Sequence, residues 1–99
     1  MRQEKPIRLS SHARTRARER GATEEEIRQT ILKGVWEAAK RGNWQVAHRL
    51  SGGGRSPFDG MRYNEKTLEV ILADEPDEIV VVTVKVFYRD REEPDEDRV

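Results

Sequence analysis

Apolar and polar side chains alternate along three stretches of the chain, and a period of two is typical of half-buried β-strands. These stretches are residues 44–50, 63–73 and 79–88, and the last is rich in valine. A shorter alternation, residues 7–9, follows Pro6 and suits an edge strand or the entry to a sheet. The pattern therefore predicts one strand near the start of the chain and three after residue 43.

A first helix is predicted over residues 11–20. Ser10 or Ser11 precedes it and can accept a hydrogen bond from an unpaired amide of the first turn. Gly21 follows it, and glycine adopts the left-handed conformation that ends many helices at little cost. Both ends of this helix are thus marked by residues with a defined capping role.

A second helix is predicted over residues 23–33. Thr23 and Glu26 have the spacing of a capping box, in which each side chain bonds the backbone amide of the other residue. Gly34 follows the last residue and indicates the end of the helix.

Three further stretches are predicted to lack regular structure. Residues 34–43 begin with Gly34 and end in Gly42-Asn43, which favours an irregular connection. Residues 51–60 contain three consecutive glycines and predict a mobile loop. Residues 89–99 carry six acidic side chains and are predicted to form a disordered tail after a single domain of residues 1–88.

The order β-α-α-β-β-β predicts an α+β fold with two helices on one face of a small, mainly antiparallel sheet. Pleating divides the strand residues between two faces of that sheet. The face without helices is expected to be half polar, to carry Arg49 and Lys85 on different strands, and to bind a ligand. The residues predicted to pack beneath the helices are Trp44, Val46, Leu50, Leu68, Val70, Leu72, Val80, Val82, Val84 and Val86.

The net charge of zero conceals an uneven distribution along the 99 residues. Residues 1–66 contain 15 basic and 8 acidic side chains, a balance of +7, and residues 67–99 contain 4 basic and 11 acidic side chains, a balance of −7. Such asymmetry indicates a basic binding surface and an acidic tail; a charged surface that only keeps a small domain soluble is the alternative. The chain lacks cysteine, an apolar signal core and a stretch of transmembrane length, so we expect a cytoplasmic protein that does not enter membranes.

The first helix concentrates positive charge. His12, Arg16 and Arg20 recur every four residues and form one row, while Arg14 and Arg18 form a second row. Like charges four residues apart repel each other, so this arrangement favours a binding role over a stabilising one. We predict that the four arginines, together with Lys66, contact nucleic acid; salt bridges to neighbouring glutamates are the alternative.

The helix motif His12-Ala13-x-x-Arg16-x-x-x-Arg20-Gly21 resembles the start of an uncharacterised bacterial and phage family of domains of unknown function. The final hairpin, residues 66–88, is similar to the end of the same family. In element order that family is distantly similar to the RelE/ParE-like and BrnT-like toxins, many of which are small ribonucleases. The resemblance implies an RNA-binding protein, and in the ribonuclease case one that needs no metal and no cofactor.

Ribonucleases of that class require cations that stabilise a phosphoryl oxygen and a group that transfers a proton. Arg49 and Lys85 are the candidate cations, and His12, His48 and Tyr88 are the candidate proton-transfer groups. Structural roles for both histidines, such as backbone hydrogen bonding or packing, remain alternatives. The two histidines are too distant in sequence for a metal motif, and the glycine-rich loop lacks the lysine of a phosphate-binding loop.

Two functions follow from these residues. The first is a toxin-like RNA-binding domain, with metal-independent endoribonuclease activity as its catalytic form. The second is a non-enzymatic module whose sheet edge or arginine-rich helix binds an antitoxin-like or phage protein. Trp36 and Trp44 could stack on bases in the first case, or pack at the rim of the core in either.

The acidic tail generates a prediction of its own. Tethered carboxylates compete with phosphate at high effective concentration, so deletion of residues 92–99 should raise RNA affinity, most clearly at low ionic strength. Titration of the full chain and of the shortened chain across a salt series tests this. Equal affinities at every salt concentration would show that the tail does not screen the basic surface.

Overall fold

The computed structural model describes residues 5–90, which form two helices, a five-stranded sheet and a separate two-stranded ribbon. The five strands lie in the order β1-β7-β6-β3-β2, and the ribbon pairs β4 with β5. Along the chain the elements are β1 (Ile7–Leu9), α1 (Ser11–Arg20), α2 (Glu24–Lys33), β2 (Val35–Ala38), a 3₁₀ turn (Lys40–Gly42), β3 (Trp44–Leu50), β4 (Gly54–Arg55), β5 (Arg62–Tyr63), β6 (Glu65–Asp74) and β7 (Ile79–Arg89).

The predicted fold class is confirmed. Strands β2, β3, β6 and β7 are antiparallel to their neighbours, whereas β1 pairs with β7 in parallel. Helix α1 packs against β7 and β1, and α2 packs against β3 and β6. The buried alanines of α1, Ala13 and Ala17, allow this helix to approach the sheet closely.

Both helices begin and end at the predicted capping residues. Ser10 accepts a hydrogen bond from the amide of Ala13 at 3.0 Å, and Gly21 ends α1 in the left-handed conformation with φ of +83°. The Thr23 hydroxyl and the Glu26 carboxylate form both hydrogen bonds of the capping box. These local signals needed no tertiary contact to be recognised.

The prediction of an irregular connection over residues 34–43 is wrong, because residues 35–38 form β2 on the edge of the sheet. β2 pairs with β3 and is exposed, so its side chains lack the alternation that marks a half-buried strand. Gly34 permits the sharp entry into β2. A Cβ atom there would lie 2.5 Å from the Ala47 carbonyl oxygen and 2.6 Å from that of Thr30.

The loop predicted over residues 51–60 contains part of an ordered hairpin. Strand β4 pairs with β5, and the hairpin turns at Asp59-Gly60, where Gly60 has φ of +72°. The Ser56 amide donates to the Met61 carbonyl at 2.8 Å, which holds the tip closed. β6 therefore begins at Glu65, two residues later than predicted.

The core lies between the helices and one face of the sheet, as expected, but β7 contributes different residues from those predicted. A register shift in the β6–β7 ladder lies at Ile71/Leu72, where Thr83 pairs with Ile71 and Val81 pairs with Leu72. Val82 is thus the extra residue of a β-bulge. Beyond the bulge Val84 and Val86 are buried as predicted; before it the alternation is inverted, so Ile79 and Val81 are buried instead of Val80 and Val82.

The acidic tail predicted from residue 89 onwards lies outside the described residues, apart from its first two positions. Arg89 is the last residue of β7, and Asp90 accepts a hydrogen bond from the Asn64 amide at 3.0 Å. The last strand is therefore one residue longer than its alternating pattern indicated.

The bulge predicts different costs for an aspartate at the bulge residue, Val82, and at Val84, two residues further along β7. Val82 is 36% exposed and Val84 is fully buried, so Val82→Asp should cost less than about 1 kcal/mol and Val84→Asp several kcal/mol. Urea denaturation of both variants measures the difference. Equal destabilisation would mean that Val82 packs into the core despite the bulge.

Candidate functional site

One end of the sheet, where β3, β6 and β7 lie beside the α1–α2 junction, contains most of the polar interactions between layers. Lys66 is at the centre of this region and is only 5% exposed. Its ammonium donates to the Gly21 carbonyl at 2.7 Å and to the Glu26 carboxylate at 2.9 and 3.1 Å. Lys66 therefore connects β6 to the end of α1 and the first turn of α2.

Tyr88 adds a second connection beside Lys66. Its hydroxyl donates to the Arg20 carbonyl at 2.8 Å, and the Lys66 ammonium lies 5.6 Å from the centre of its ring. Burial first and the Glu26 carboxylate second raise the pKa of the Tyr88 phenol. Tyr88 is thus a protonated hydrogen-bond donor near neutral pH, and the structure assigns its hydroxyl to fold stabilisation.

Among residues 5–90 no helix covers the opposite face of the same sheet end, and this face carries three exposed cations around an exposed phenylalanine. Lys85 and Arg89 are the neighbours of Phe87 on this face of β7, and the Cα partner of Phe87 on β6 is Thr67, which itself pairs with Arg49 on β3. Phe87 is 50% exposed. We call this surface the sheet-end patch; its residues are Arg49, Glu65, Thr67, Lys85, Phe87 and Arg89.

Glu65 orders two of these cations. Its carboxylate is 3.0 Å from the Arg89 guanidinium and 3.8 Å from that of Arg49, and its side chain is 9% exposed. Both arginines remain mostly exposed, at 57% and 72%. A depression of 430 Å³ lies here, and its lining residues are Glu65, Thr67, Phe87, Tyr88 and Arg89.

A second depression of 270 Å³ shares Phe87 and Tyr88 with the first and lies between β7 and the tip of the β4–β5 hairpin. The rings of Tyr63 and Tyr88 are 6.1 Å apart and tilted by 44° within it. We call this depression the edge cleft; its residues are Ser56, Phe58, Asp59, Tyr63, Val86, Phe87 and Tyr88.

Asp59 is the charged group of the edge cleft. Its carboxylate accepts hydrogen bonds from the Tyr63 hydroxyl at 2.6 Å and the Met61 amide at 2.9 Å. The Tyr63 hydrogen bond first, and that of Met61 second, lower the pKa of the Asp59 carboxyl. Asp59 is therefore ionised at neutral pH, although it lies at an exposed hairpin tip.

The cleft also borders a free strand edge. β1 pairs with β7 from Ile79 to Val81, and beyond that the Val84 carbonyl accepts from the Arg20 guanidinium at 2.8 Å. Backbone groups of alternate residues face the same edge, so the amide and carbonyl of Val86 point into the cleft. Within residues 5–90 no strand pairs with that edge at Val86.

The structure does not bring the predicted catalytic residues together. Arg49 and Lys85 lie on the face without helices, whereas His48 and Tyr88 lie on the helix-covered face, beside Leu68 and Lys66. His12 is exposed near the start of α1, on the helical layer. A reacting phosphate on the sheet-end patch would lie on the other side of the sheet from both histidines, and the Tyr88 hydroxyl, although Tyr88 lines the depression there, is bonded to the Arg20 carbonyl.

The predicted nucleic-acid contacts of α1 divide into three groups. Arg14 and Arg16 form ion pairs with Glu24 at 3.5 Å and Glu19 at 2.9 Å. Arg18 is exposed. The Arg20 guanidinium donates to the Val84 carbonyl on the edge of β7. The helix arginines and the sheet-end cations thus occupy opposite sides of the sheet and do not form the single site expected from the sequence.

Lys66 requires a further correction, because its burial and its ion pair with Glu26 remove it from any surface contact. The two tryptophans pack against the core with their rings 5.8 Å apart, and the Trp36 indole donates to the Ile31 carbonyl at 3.0 Å. They therefore form part of the core rim.

The edge cleft was not predicted from the sequence. Its hairpin residues fall in the stretch whose glycines suggested a mobile loop, yet Asp59-Gly60 is a recognised turn signal between two short extended segments. That dipeptide could have indicated a hairpin, but not its position beside β7.

Two further properties concern residues 5–90 alone. They contain no group of three histidine, cysteine or acidic side chains arranged to hold a metal ion. None of their helices has the length and apolar character needed to cross a membrane.

The chain belongs to a family described as a domain of unknown function, DUF4258, whose model matches residues 9–86. No curated protein and no solved structure matches the chain. The predicted membership of an uncharacterised domain family is therefore confirmed, and the match does not extend to the RelE/ParE-like or BrnT-like toxins.

The Lys66–Glu26 pair generates a stability prediction. Glu26→Gln leaves a buried ammonium without its counter-charge, so we expect a loss of about 3 kcal/mol in the free energy of unfolding. Lys66→Met should cost less, because the remaining Glu26 side chain is 28% exposed and can reach water.

Urea denaturation measures both changes, with Glu24→Gln as the matched control in the same helical turn. Glu24 is 68% exposed, so its substitution should change stability by less than about 0.5 kcal/mol. A Glu26→Gln variant as stable as this control would show that the buried pair does not hold the layers together.

Proposed function

We propose that this protein binds single-stranded RNA through the sheet-end patch. The observation that carries the proposal is the grouping of Arg49, Lys85 and Arg89 around the exposed ring of Phe87 on a sheet face without helices. Guanidinium and ammonium groups bind phosphates, and an exposed aromatic ring stacks on an unpaired base. The patch offers both types of group on one rigid support.

The electrostatics of the patch favour a ligand that brings its own negative charge. Arg49 and Arg89 share one carboxylate, Glu65, so their two positive charges are only partly balanced. Glu65 is buried and holds both arginines in place, while their mostly exposed guanidinium groups keep further donors that phosphate oxygens can reach without breaking either pair. The distant resemblance to RelE-like toxins, noted in the element order, supports the same ligand class by analogy of fold alone.

Our proposal is limited to binding. Metal-free cleavage requires a proton-transfer group beside the phosphate, and the histidines predicted for that role lie on α1 and on the helix-covered face of β3. The geometry around Arg49 and Lys85 thus supports phosphate contact without supporting the predicted histidine chemistry.

The proposal predicts a change in the salt dependence of binding. Each phosphate contact to single-stranded RNA contributes about −0.7 to the slope of log K against log salt concentration, so Arg49→Gln with Lys85→Gln should flatten the slope by about 1.4. Fluorescence anisotropy with a labelled U-rich nonamer across a salt series measures this. The matched control, Arg28→Gln with Lys33→Gln on α2, should leave the slope unchanged.

A third pair, Arg14→Gln with Arg18→Gln, tests the alternative location on α1. If this pair flattens the slope and the patch variant does not, the RNA site lies on the helix and our proposal is wrong. If the unaltered protein binds no RNA at low salt, the function itself is wrong, and the free β7 edge then favours the protein-interaction hypothesis.

A further inference from the structure

The edge cleft carries features of a base-binding pocket next to the proposed phosphate contacts. Phe87 and Tyr88 line both the cleft and the depression of the sheet-end patch, so the two sites are adjacent and one nucleotide can place its phosphate on the patch and its base in the cleft. The exposed rings available for stacking are Phe58 at 67% and Phe87 at 50% exposure. At 270 Å³ the cleft is slightly smaller than sites for drug-sized ligands, which begin at about 300 Å³, and its size suits a single base.

The polar groups of the cleft define which base it would accept. Asp59 is ionised, and each of its oxygens accepts one hydrogen bond, Oδ1 from the Met61 amide and Oδ2 from the Tyr63 hydroxyl; a carboxylate oxygen can accept a second hydrogen bond from a ligand. Ser56, which is 3% exposed, accepts a hydrogen bond from the Phe58 amide and holds the hairpin tip in position. The carboxylate is thus a positioned acceptor, and it repels phosphate.

The four RNA bases differ in what they present to such an acceptor. Guanine offers two adjacent donors, N1–H and the N2 amino group, which match the two oxygens of a carboxylate. Adenine and cytosine offer one amino group on the same edge. Uracil offers a single N3–H between two carbonyl oxygens, and these oxygens would face the Asp59 charge.

We propose that the edge cleft binds an unpaired guanine, with its Watson–Crick edge on the Asp59 carboxylate and its ring against Phe58 or Phe87. This inference rests on the RNA-binding function proposed above and adds the base preference of that site. Reading of unpaired bases by edge hydrogen bonds and aromatic stacking is the usual route to RNA sequence preference. The expected order of affinity is guanine, then adenine and cytosine, then uracil.

The experiment compares uridine nonamers that carry one central guanosine, inosine, adenosine or cytidine with the all-uridine nonamer. Fluorescence anisotropy should show about tenfold tighter binding of the guanosine oligonucleotide than of the all-uridine one, the scale of one bidentate base contact. Inosine lacks the N2 amino group, so it should bind with an intermediate affinity. This arm uses the unaltered protein and does not depend on the folding of a variant.

Asp59→Asn should abolish the guanine preference, and it should raise the affinity for the all-uridine nonamer, because it removes the charge that disfavours phosphate and the uracil oxygens. The matched control is Asp77→Asn, an exposed aspartate in the β6–β7 turn, which should keep the preference.

The outcomes separate the two proposals. Equal binding of all five oligonucleotides by the unaltered protein overturns the guanine pocket and leaves RNA binding intact. A guanine preference that survives Asp59→Asn shows that another group reads the base and overturns the assignment to Asp59. Absence of binding to every oligonucleotide overturns the proposed function.

Discussion

The structure depends on one buried ammonium group. Lys66 extends from β6 into the junction between α1 and α2, where it bonds the Gly21 carbonyl and the Glu26 carboxylate. Glu26 is also part of the capping box, since its carboxylate accepts from the Thr23 amide at 3.0 Å. The Glu26 carboxylate therefore caps the start of α2 and also neutralises Lys66 on β6. This shared contact positions the helices relative to the sheet.

This contact also determines the position of the candidate site. Gly21 brings the end of α1 so close to Tyr88 that a Cβ atom there would lie 2.5 Å from the Tyr88 hydroxyl. The same Cβ atom would lie 3.1 Å from Pro57 in the hairpin, so α1, β7 and the β4–β5 hairpin meet at one point. The edge cleft lies beside that point. Its tyrosine rings, Tyr63 and Tyr88, belong to the hairpin and to β7, which meet α1 there.

The sheet-end patch and the edge cleft, which share Phe87, differ in charge. This difference would orient a nucleotide bound to both. On the sheet face, three cations outnumber Glu65 and Glu69, and the surface attracts phosphate. At the β7 edge, none of the described residues that line the edge cleft is basic, so the Asp59 charge there disfavours phosphate. A nucleotide bound across Phe87 would therefore have one preferred orientation, and this orientation is the physical basis of both proposals.

The sequence by itself determined both helices, strands β1, β3, β6 and β7, and the class of fold. The Ser10, Gly21 and Thr23–Glu26 signals act over a few residues, and the alternation in β3, β6 and β7 reports burial of one face, so both are readable without a structure. The tertiary structure alone decided three further features, because each of them depends on contacts between residues distant in sequence. The bulge at Val82 exchanges the faces of Val80 and Val81, β2 exists because β3 pairs with it, and Lys66 is buried because Glu26 lies above it. The two sites that share Phe87 combine residues from β3, β6, β7 and the hairpin, and no local pattern encodes which side chains a folded chain brings to one edge.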